Sequence, residues 1–500
     1  MSRFMMGVLK VFCMLSFFVV TLFAEVYEGL WDSFVEEGPH VISIKGGGGM
    51  DGNFEIKLAM NSQSVLEPCV VWMHTPGDGS YRVQEAEIYF SRRSDATNKW
   101  SQPIRLTDND FKEENVKFLV HSVPDLGDVY YVFYSHSKIN DNSDEELVYI
   151  TSTNGVDWSD PVVLASHYRI RDLYAVMSSD SSMHLMYSAS DSLAEHPKIY
   201  YILREHYSAS NWTAPMKIAG EENIKHTKPI FALDTTPVDD DIIYAAWHEA
   251  KGEYSDSQER IMVKRFSEDG SPWRSDEQPA EFQWVERVSA PAAITTVSTN
   301  VSSHKIYLIN SSETEGTDYW QPYFHIYSFF DGKWFSPKKL TDTDTKCRDS
   351  FLLLNISKMG DGVVAAVWLE EWSGMKMRLV KKEGDFTGEK ALSIPDWSKP
   401  SPDYSKIGYS AINGEYLKGV SYGDKAFFIW NFTSSWENEE DPMTYILQNW
   451  RSDEFLSLEE FYENIESQDA DSEDSSNDGG SSDETEGGSC SLMFLNIPAK

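Results

Sequence analysis

The chain has 500 residues, 41% hydrophobic, 13% aromatic and 25% charged, the composition of a folded protein in which disorder can describe only a part. Its 43 basic against 80 acidic side chains give a formal charge of −37, which argues against nucleic acid and against anionic membrane surfaces as partners.

The N-terminus reads as an export signal. Arg3 and Lys10 precede an apolar run from Val11 to Ala24, too short to span a bilayer and the right size for a signal-peptide core. Cleavage after Ala24 would remove both bases and leave a charge of about −39, with a protein that is secreted, periplasmic or at the cell surface and not integral to the membrane. The cysteines that remain, Cys69, Cys347 and Cys490, are odd in number and scattered, so no disulfide is assigned. No Cys or His spacing of a metal site occurs, and neither metal nor cofactor is expected.

From residue 25 onwards a repeat dominates. Short apolar runs end at Trp72, Tyr134, Tyr187, Trp247, Ile309, Trp368 and Trp430, and each is followed, after a polar loop, by a second β-rich run: 88–90, 147–150, 199–202, 261–263, 324–327, 377–380 and 445–447. Four units close on a shared wording, in which Trp100, Trp158, Trp212 and Trp334 each stand three residues before Pro103, Pro161, Pro215 and Pro337. Proline in a strand is tolerated where its missing donor faces no neighbour, so these are outer edge strands. Four strands per unit, repeated at about 63 residues, predict an all-β fold, a single β-propeller with seven blades favoured and six plus a C-terminal hairpin as the alternative.

The expected layout is a signal peptide at 1–24, an N-terminal segment at 25–53, the propeller at 54–450, a helix at 451–465 and a tail at 466–500. Within the N-terminal segment, Val41 to Ile44 is the strand expected to close the last blade. The helix is read from Leu458, Phe461, Tyr462 and Ile465 on one side. The tail carries nine acidic residues between Glu466 and Ser489, with no base, and is expected to be disordered.

The turn Ser152-Thr153-Asn154-Gly155-Val156-Asp157-Trp158 resembles the Asp-box of the sialidase-like propellers, with Asn in the Asp place; weaker echoes begin at Ser91, Ser267 and Phe330. The resemblance implies a sialidase-like (BNR repeat) propeller in which this box is structural and lies opposite the ligand face. It also implies an arginine triad for a substrate carboxylate, with a Tyr nucleophile paired to Glu. The nearest wording, Tyr168-Arg169-Ile170-Arg171-Asp172, lacks the family's Pro and stands in the third unit. Arg204 and Arg348 could complete an arginine set and Asp172 or Glu249 supply a carboxylate, but no nucleophile can be placed.

Charge placement supplies the candidate site. In a very acidic chain, the loops leading into the first strands of the units collect Lys117, Arg169, Arg171, His226, Lys228, Arg348 and Lys406. Such a ring suits an anionic ligand; ordinary pairing with Asp108, Asp110, Asp172, Glu221, Glu222, Asp342 and Asp344 is the alternative. Trp320 and Trp372, with Tyr81, Tyr254, Tyr319 and Trp436, are possible sugar platforms in the second-to-third-strand loops, or structural fillers. His74, His136 and His248 leave the second strand at what reads as one equivalent place. The function expected is recognition of a glycan, anionic for preference, or of an extracellular protein at this face. The alternative is a glycoside hydrolase or lyase of sialidase type with a rewritten site.

Overall fold

The computed structural model describes residues 40–41, 50–60 and 66–451 in segments, with gaps at loops including 76–85, 235–241, 356–363, 392–417 and 433–442. The signal segment, the helix at 451–465 beyond its first residue, and the acidic tail lie outside the described residues, as do Lys406, Trp372, Trp436, Tyr81, Tyr254 and Tyr319. The chain divides into two units, Met1–Phe455 and Leu456–Lys500, and all that follows belongs to the first.

That unit is all-β and antiparallel in the manner of a β-propeller. Among the described residues there are seven sheets, six of them each drawn from one stretch of chain and the last completed by a strand from the N-terminus. The first holds β2 (Met50–Met60), β3 (Leu66–Thr75) and β4 (Glu87–Ser94), edged by β5 (Lys99–Trp100) and β6 (Ile104–Arg105). The second holds β7 (Phe111–Val123), β8 (Gly127–Lys138), β9 (Glu145–Ser152) and β10 (Val162–His167). The third holds β11 (Arg169–Met177), β12 (Met183–Ser190), β13 (Lys198–Arg204) and β14 (Met216–Ala219), and the fourth β15 (Ile224–Asp234), β16 (Ile242–Lys251) and β17 (Gln258–Phe266). In the fifth, β18 (Pro291–Ser298), β19 (His304–Glu313) and β20 (Trp320–Ser328) are edged by β21 (Lys333–Trp334) and β22 (Lys338–Lys339). The sixth runs β23 (Cys347–Asn355), β24 (Val364–Glu370), β25 (Gly374–Val380) and β26 (Lys390–Ala391). The last joins β27 (Lys418–Tyr422), β28 (Lys425–Phe432) and β29 (Met443–Arg451) to β1 (His40–Val41) from the N-terminus.

All seven apolar runs of the repeat form second strands and the seven runs after them form third strands. The tryptophan–proline wording leads into the outermost strand of its sheet, with Pro103, Pro161, Pro215 and Pro337 each one residue before β6, β10, β14 and β22 and not inside the strand as expected, so the missing N–H falls outside the ladder. His40 pairs with Ile446 and Val41 with Tyr445, so the N-terminal strand sits on the last sheet; Ile42 to Ile44 lie outside the described residues.

The second strands are apolar on both faces because each sheet is covered on both sides by its neighbours. Trp72, Trp247 and Trp368 are fully buried, each contributing about 2–3 kcal/mol. Core clusters bridge sheet one to two, two to three, three to four, four to five and five to six, and Phe54, Ile56, Val70 and Trp72 pack with Val420 of the last sheet. The first strand of every sheet packs on the first strand of the next, and β27 on β2, so the first strands form a closed ring.

The Asp-box turn shows why its residues are structural. Ser152 Oγ accepts the N–H groups of Asn154 and Gly155, while Asn154 Oδ1 accepts those of Val156 and Asp157, both at 2.8 Å. Gly155 has φ 70°, and a Cβ there would sit 3.0 Å from the Phe90 ring. Trp158 then reaches Phe90 and Tyr130, sealing sheets one and two. Strands alternate in direction, so this turn lies on the face opposite the loops that lead into the first strands.

Candidate functional site

Near its start, each of the first four first-strands carries a bulge at the same place. Register slips between Gly52 and Glu55, Glu114 and Lys117, Arg171 and Tyr174, and Thr227 and Ile230. The bulged residues Asn53, Asn115, Asp172 and Lys228 have φ of 51°, 58°, 50° and 50°. Asn and Asp tolerate this left-handed conformation and offer a short polar side chain; Lys does so at some cost. Here the side chains clasp neighbouring sheets. Asp172 N–H donates to Asn115 Oδ1 at 3.2 Å, and Lys228 N–H donates to Asp172 Oδ2 at 3.1 Å, which also accepts from Ser188 Oγ. A second clasp recurs at the start of the third strands: Glu87, Glu145 and Glu259 accept the N–H of Asn109, Ile170 and Val288 on the segments leading into the following sheets.

Immediately after the bulge, Glu55, Lys117 and Tyr174 occupy one register position in sheets one, two and three. Lys117 Nζ stands 2.6 Å from Glu55 Oε1, and Lys418 of the last sheet approaches the same oxygen at 3.4 Å. Lys57 also acts on Glu55 electrostatically. Burial opposes ionisation of Glu55, but Lys117, Lys418 and Lys57 outweigh it and hold the carboxyl at about 2. Burial pulls the Lys57 and Lys117 ammoniums below their usual range despite Glu55. One carboxylate thus faces three lysines at the centre of a ring belonging to a chain of charge −37. Tyr174 completes this level. Its phenol is pushed up to about 12, by burial and by Glu55, so it remains a hydrogen-bond donor.

The sequence-derived cations divide into distinct groups. Arg169, Arg171 and Lys228 are exposed beside their bulges and form no ion pair among the described residues. Lys117 pairs, but inward with Glu55 and not with Asp108 or Asp110; Asp108 pairs with Arg105. Arg348 lies on β23 and Trp320 opens β20, on strands whose backbone alone is described at those positions. Arg204 stacks over Tyr131 and Trp212, away from Arg169 and Arg171 by the length of its strand.

His226 is a different case, being fully buried. Its ring nitrogens face Glu221 at 2.9 Å and Glu249 at 3.2 Å. Glu249 in turn accepts from Trp247 Nε1 at 2.9 Å and Arg260 Nε at 2.8 Å. Glu221, His226 and Glu249 are close enough to hold an ion, yet both Glu249 oxygens are already occupied, so the chemistry is that of a closed ion-pair network and not of an open metal site. Glu249 is therefore a structural carboxylate and no acid–base candidate. The equivalence read for the three histidines also needs correction. His74 pairs with Asp51 and His136 with Glu113, but His248 pairs with Thr227, one step nearer the bulge, which turns its side chain to the other face.

One buried cluster had no sequence signal beyond its position. Glu113 is fully buried between sheets one and two; its Oε1 accepts from Asn109 at 2.9 Å, while Oε2, Glu87 Oε2 and the Tyr134 hydroxyl have no hydrogen-bond partner. Burial, then Glu87, push the Glu113 carboxyl up to about 8 against the Asn109 bond. The native state therefore keeps a proton that the unfolded chain releases from about 4.5 upward, and stability falls as pH rises from there to about 8. Glu113→Gln keeps an acceptor for Asn109 and cannot ionise. At pH above 8 it is expected to be about 1–3 kcal/mol more stable than wild type, and near pH 4.5 within about 1 kcal/mol of it. Urea melts at the two pH values check this; the same difference at both would contradict it.

No family model matches the chain, and no curated protein matches its sequence. Among solved structures, an α-L-arabinanase of Penicillium chrysogenum complexed with arabinobiose is similar at 13% identity, over 63% of this chain and 88% of the other, with a TM-score of 0.41. An α-L-arabinofuranosidase of Fusarium graminearum with arabinobiose is similar at 10% identity, over 78% and 93%, with a TM-score of 0.42. For an endo-arabinanase of Bacillus licheniformis the figures are 12%, 54%, 95% and 0.27. Likeness of this depth carries neither substrate nor chemistry to this chain, whose fold stands on its own sheets.

Proposed function

We propose that the protein is an exported, seven-bladed β-propeller, sialidase-like in its Asp-box turn, that recognises an anionic glycan on the face where the first strands begin. The observation that carries this reading is the surplus of positive charge at the centre of the ring: Lys117 and Lys418 pair with Glu55 while Lys57 acts on it electrostatically, and Arg169, Arg171 and Lys228 are exposed at the entry to the first strands with no ion pair within 4.0 Å among the described residues. Cations in excess of their local counter-ions in so acidic a chain are placed against the mean field, which is what a local anion site requires. An extracellular protein with an acidic surface would use the same charges.

The hydrolase reading rests on one carboxyl pair. Glu113, held protonated by burial, stands beside Glu87, which is salt-bridged to Arg105 at 2.6 Å, and a pair of carboxyl groups is what glycoside hydrolysis uses. Both carboxyls are buried, however, Glu113 fully, and no cation beyond Arg105 stands beside them among the described residues to receive an anionic sugar. A glycan array together with fluorogenic glycosides, sialosides first, separates the readings. Binding of acidic glycans without turnover is expected, weakened by Arg169→Ala with Arg171→Ala; turnover lost in that double variant would establish the enzyme instead.

A further inference from the structure

The charge at the ring centre has a chemistry that narrows the ligand. Among the described side chains, the cations there are the lysines Lys57, Lys117 and Lys418; the described arginines of the entry loops, whose planar forks match a carboxylate in two parallel bonds, are Arg169 and Arg171. Ammoniums are compact point charges whose donors adapt to a tetrahedral group of oxygens. Each Lys has three N–H bonds; Lys117 gives one to Glu55 Oε1 at 2.6 Å, and Lys418 stands 3.4 Å from the same oxygen as an ion pair. Lys57 has no ion pair of its own among the described residues, and Tyr174 has a hydroxyl to give at the same level. Among the described side chains, the register positions of this level in sheets four and five are apolar, Ile230 and Ala293, and stand against the charged positions of sheets one and two. A ligand with one dense anionic group on a largely uncharged sugar matches that division.

We propose that Lys57, Lys117, Lys418 and Tyr174, arranged around Glu55, form a binding site for a tetrahedral oxyanion carried on a sugar, a sulfate or phosphate ester, in preference to a uronate carboxylate. The proposal rests on the anionic-glycan reading and gives it a group and a place. Glu55 is the internal counter-ion that makes the buried lysines tolerable, and the ester approaches the donors that Glu55 leaves unused. The depressed lysine ammoniums fit this, because burial has cost them water that one carboxylate does not replace.

The test is equilibrium binding to the full chain of glucose 6-sulfate, glucose 6-phosphate, glucuronate and glucose, by calorimetry at low salt. Both esters are expected to bind at least tenfold more tightly than glucuronate, and the ratio between the esters identifies which is the natural group. Lys117→Gln with Lys418→Gln should abolish that preference. Glu55→Gln, which removes the competing anion, should tighten ester binding several-fold, a gain that a merely structural role does not produce. Thermal melts of each variant establish that it is folded, and Lys57→Gln serves as the loss variant if the double one is not. Glucuronate binding as tightly as the esters, or ester binding unchanged in the lysine variants, overturns the proposal. If acidic glycans bind but ignore these substitutions, the oxyanion site falls and the glycan reading stands; if no sugar anion binds at all, both fall.

Discussion

Glu249→Ala is expected to lower stability by about 3–5 kcal/mol, the cost of breaking a buried charge network by removing its central member. The carboxylate is buried and accepts from Trp247 and Arg260 while facing His226, and alanine would take its acceptor from Trp247 Nε1 and one of two carboxylate partners from each of Arg260 and His226, which keep Glu281 and Glu221. The pH dependence carries a second signature. Burial acts against the charge, but hydrogen bonds from His226, Arg260 and Trp247 hold the carboxyl at about 2. A depressed carboxylate contributes stability above its ordinary value near 4.5 and loses it as pH falls toward about 2. Wild type should therefore weaken across that acid window more steeply than Glu249→Gln, which retains an acceptor without the charge. Denaturant melts followed by tryptophan fluorescence at pH 7 and pH 3 test both statements. A loss under about 1 kcal/mol at pH 7 would mean that the network contributes nothing beyond satisfying its own members.

Asp172→Ala comes second, at about 2–4 kcal/mol. The residue holds φ at 50°, where a Cβ without a local hydrogen bond costs about 1 kcal/mol, and its Oδ2 accepts from both Ser188 and the Lys228 backbone across the sheet boundary. Substitution by glycine separates the two contributions. Asp172→Gly relieves the backbone and loses only the acceptor, so about 1–2 kcal/mol is expected, and Asp172→Asn should cost less than about 1 kcal/mol. If glycine and alanine cost the same, the conformation is no part of the effect. These variants also probe the propeller as a ring, since the bond to Lys228 joins sheet three to sheet four.

The sheets were legible in the sequence because each second strand must be apolar on both faces, and seven such runs at nearly constant spacing fit a radial repeat of sheets better than any single-core fold. The outer strands were legible from proline, and the Asp-box turn from Ser152, Asn154 and Gly155, whose roles are local. What stayed hidden is what depends on register. A bulge shifts every later side chain of its strand to the other face, so Lys117, counted with the loop cations, turns inward to Glu55; His248 falls out of line with His74 and His136 for a simpler reason, standing one residue after its run and not two. The alternation Phe54-Glu55-Ile56-Lys57-Leu58, set against Val116-Lys117-Phe118, carried the signal for the ring-centre charges. It becomes readable only once the two strands are aligned at their bulges. His226 shows the opposite limit: its place in a basic cluster suggested an open rim, and three-dimensional packing encloses it between two carboxylates.

The most direct measurement is the affinity of the intact protein for chondroitin sulfate, which carries both kinds of anion, against neutral dextran at salt from about 0.05 to 0.3 M. Binding of the polyanion that weakens roughly tenfold or more over that range, with dextran unbound throughout, is the expected result, since contacts from Arg169, Arg171, Lys228 and the ring-centre lysines are screened as salt rises. Binding that ignores salt, or dextran held as tightly as chondroitin sulfate, would contradict an anionic-glycan site at the centre of this ring.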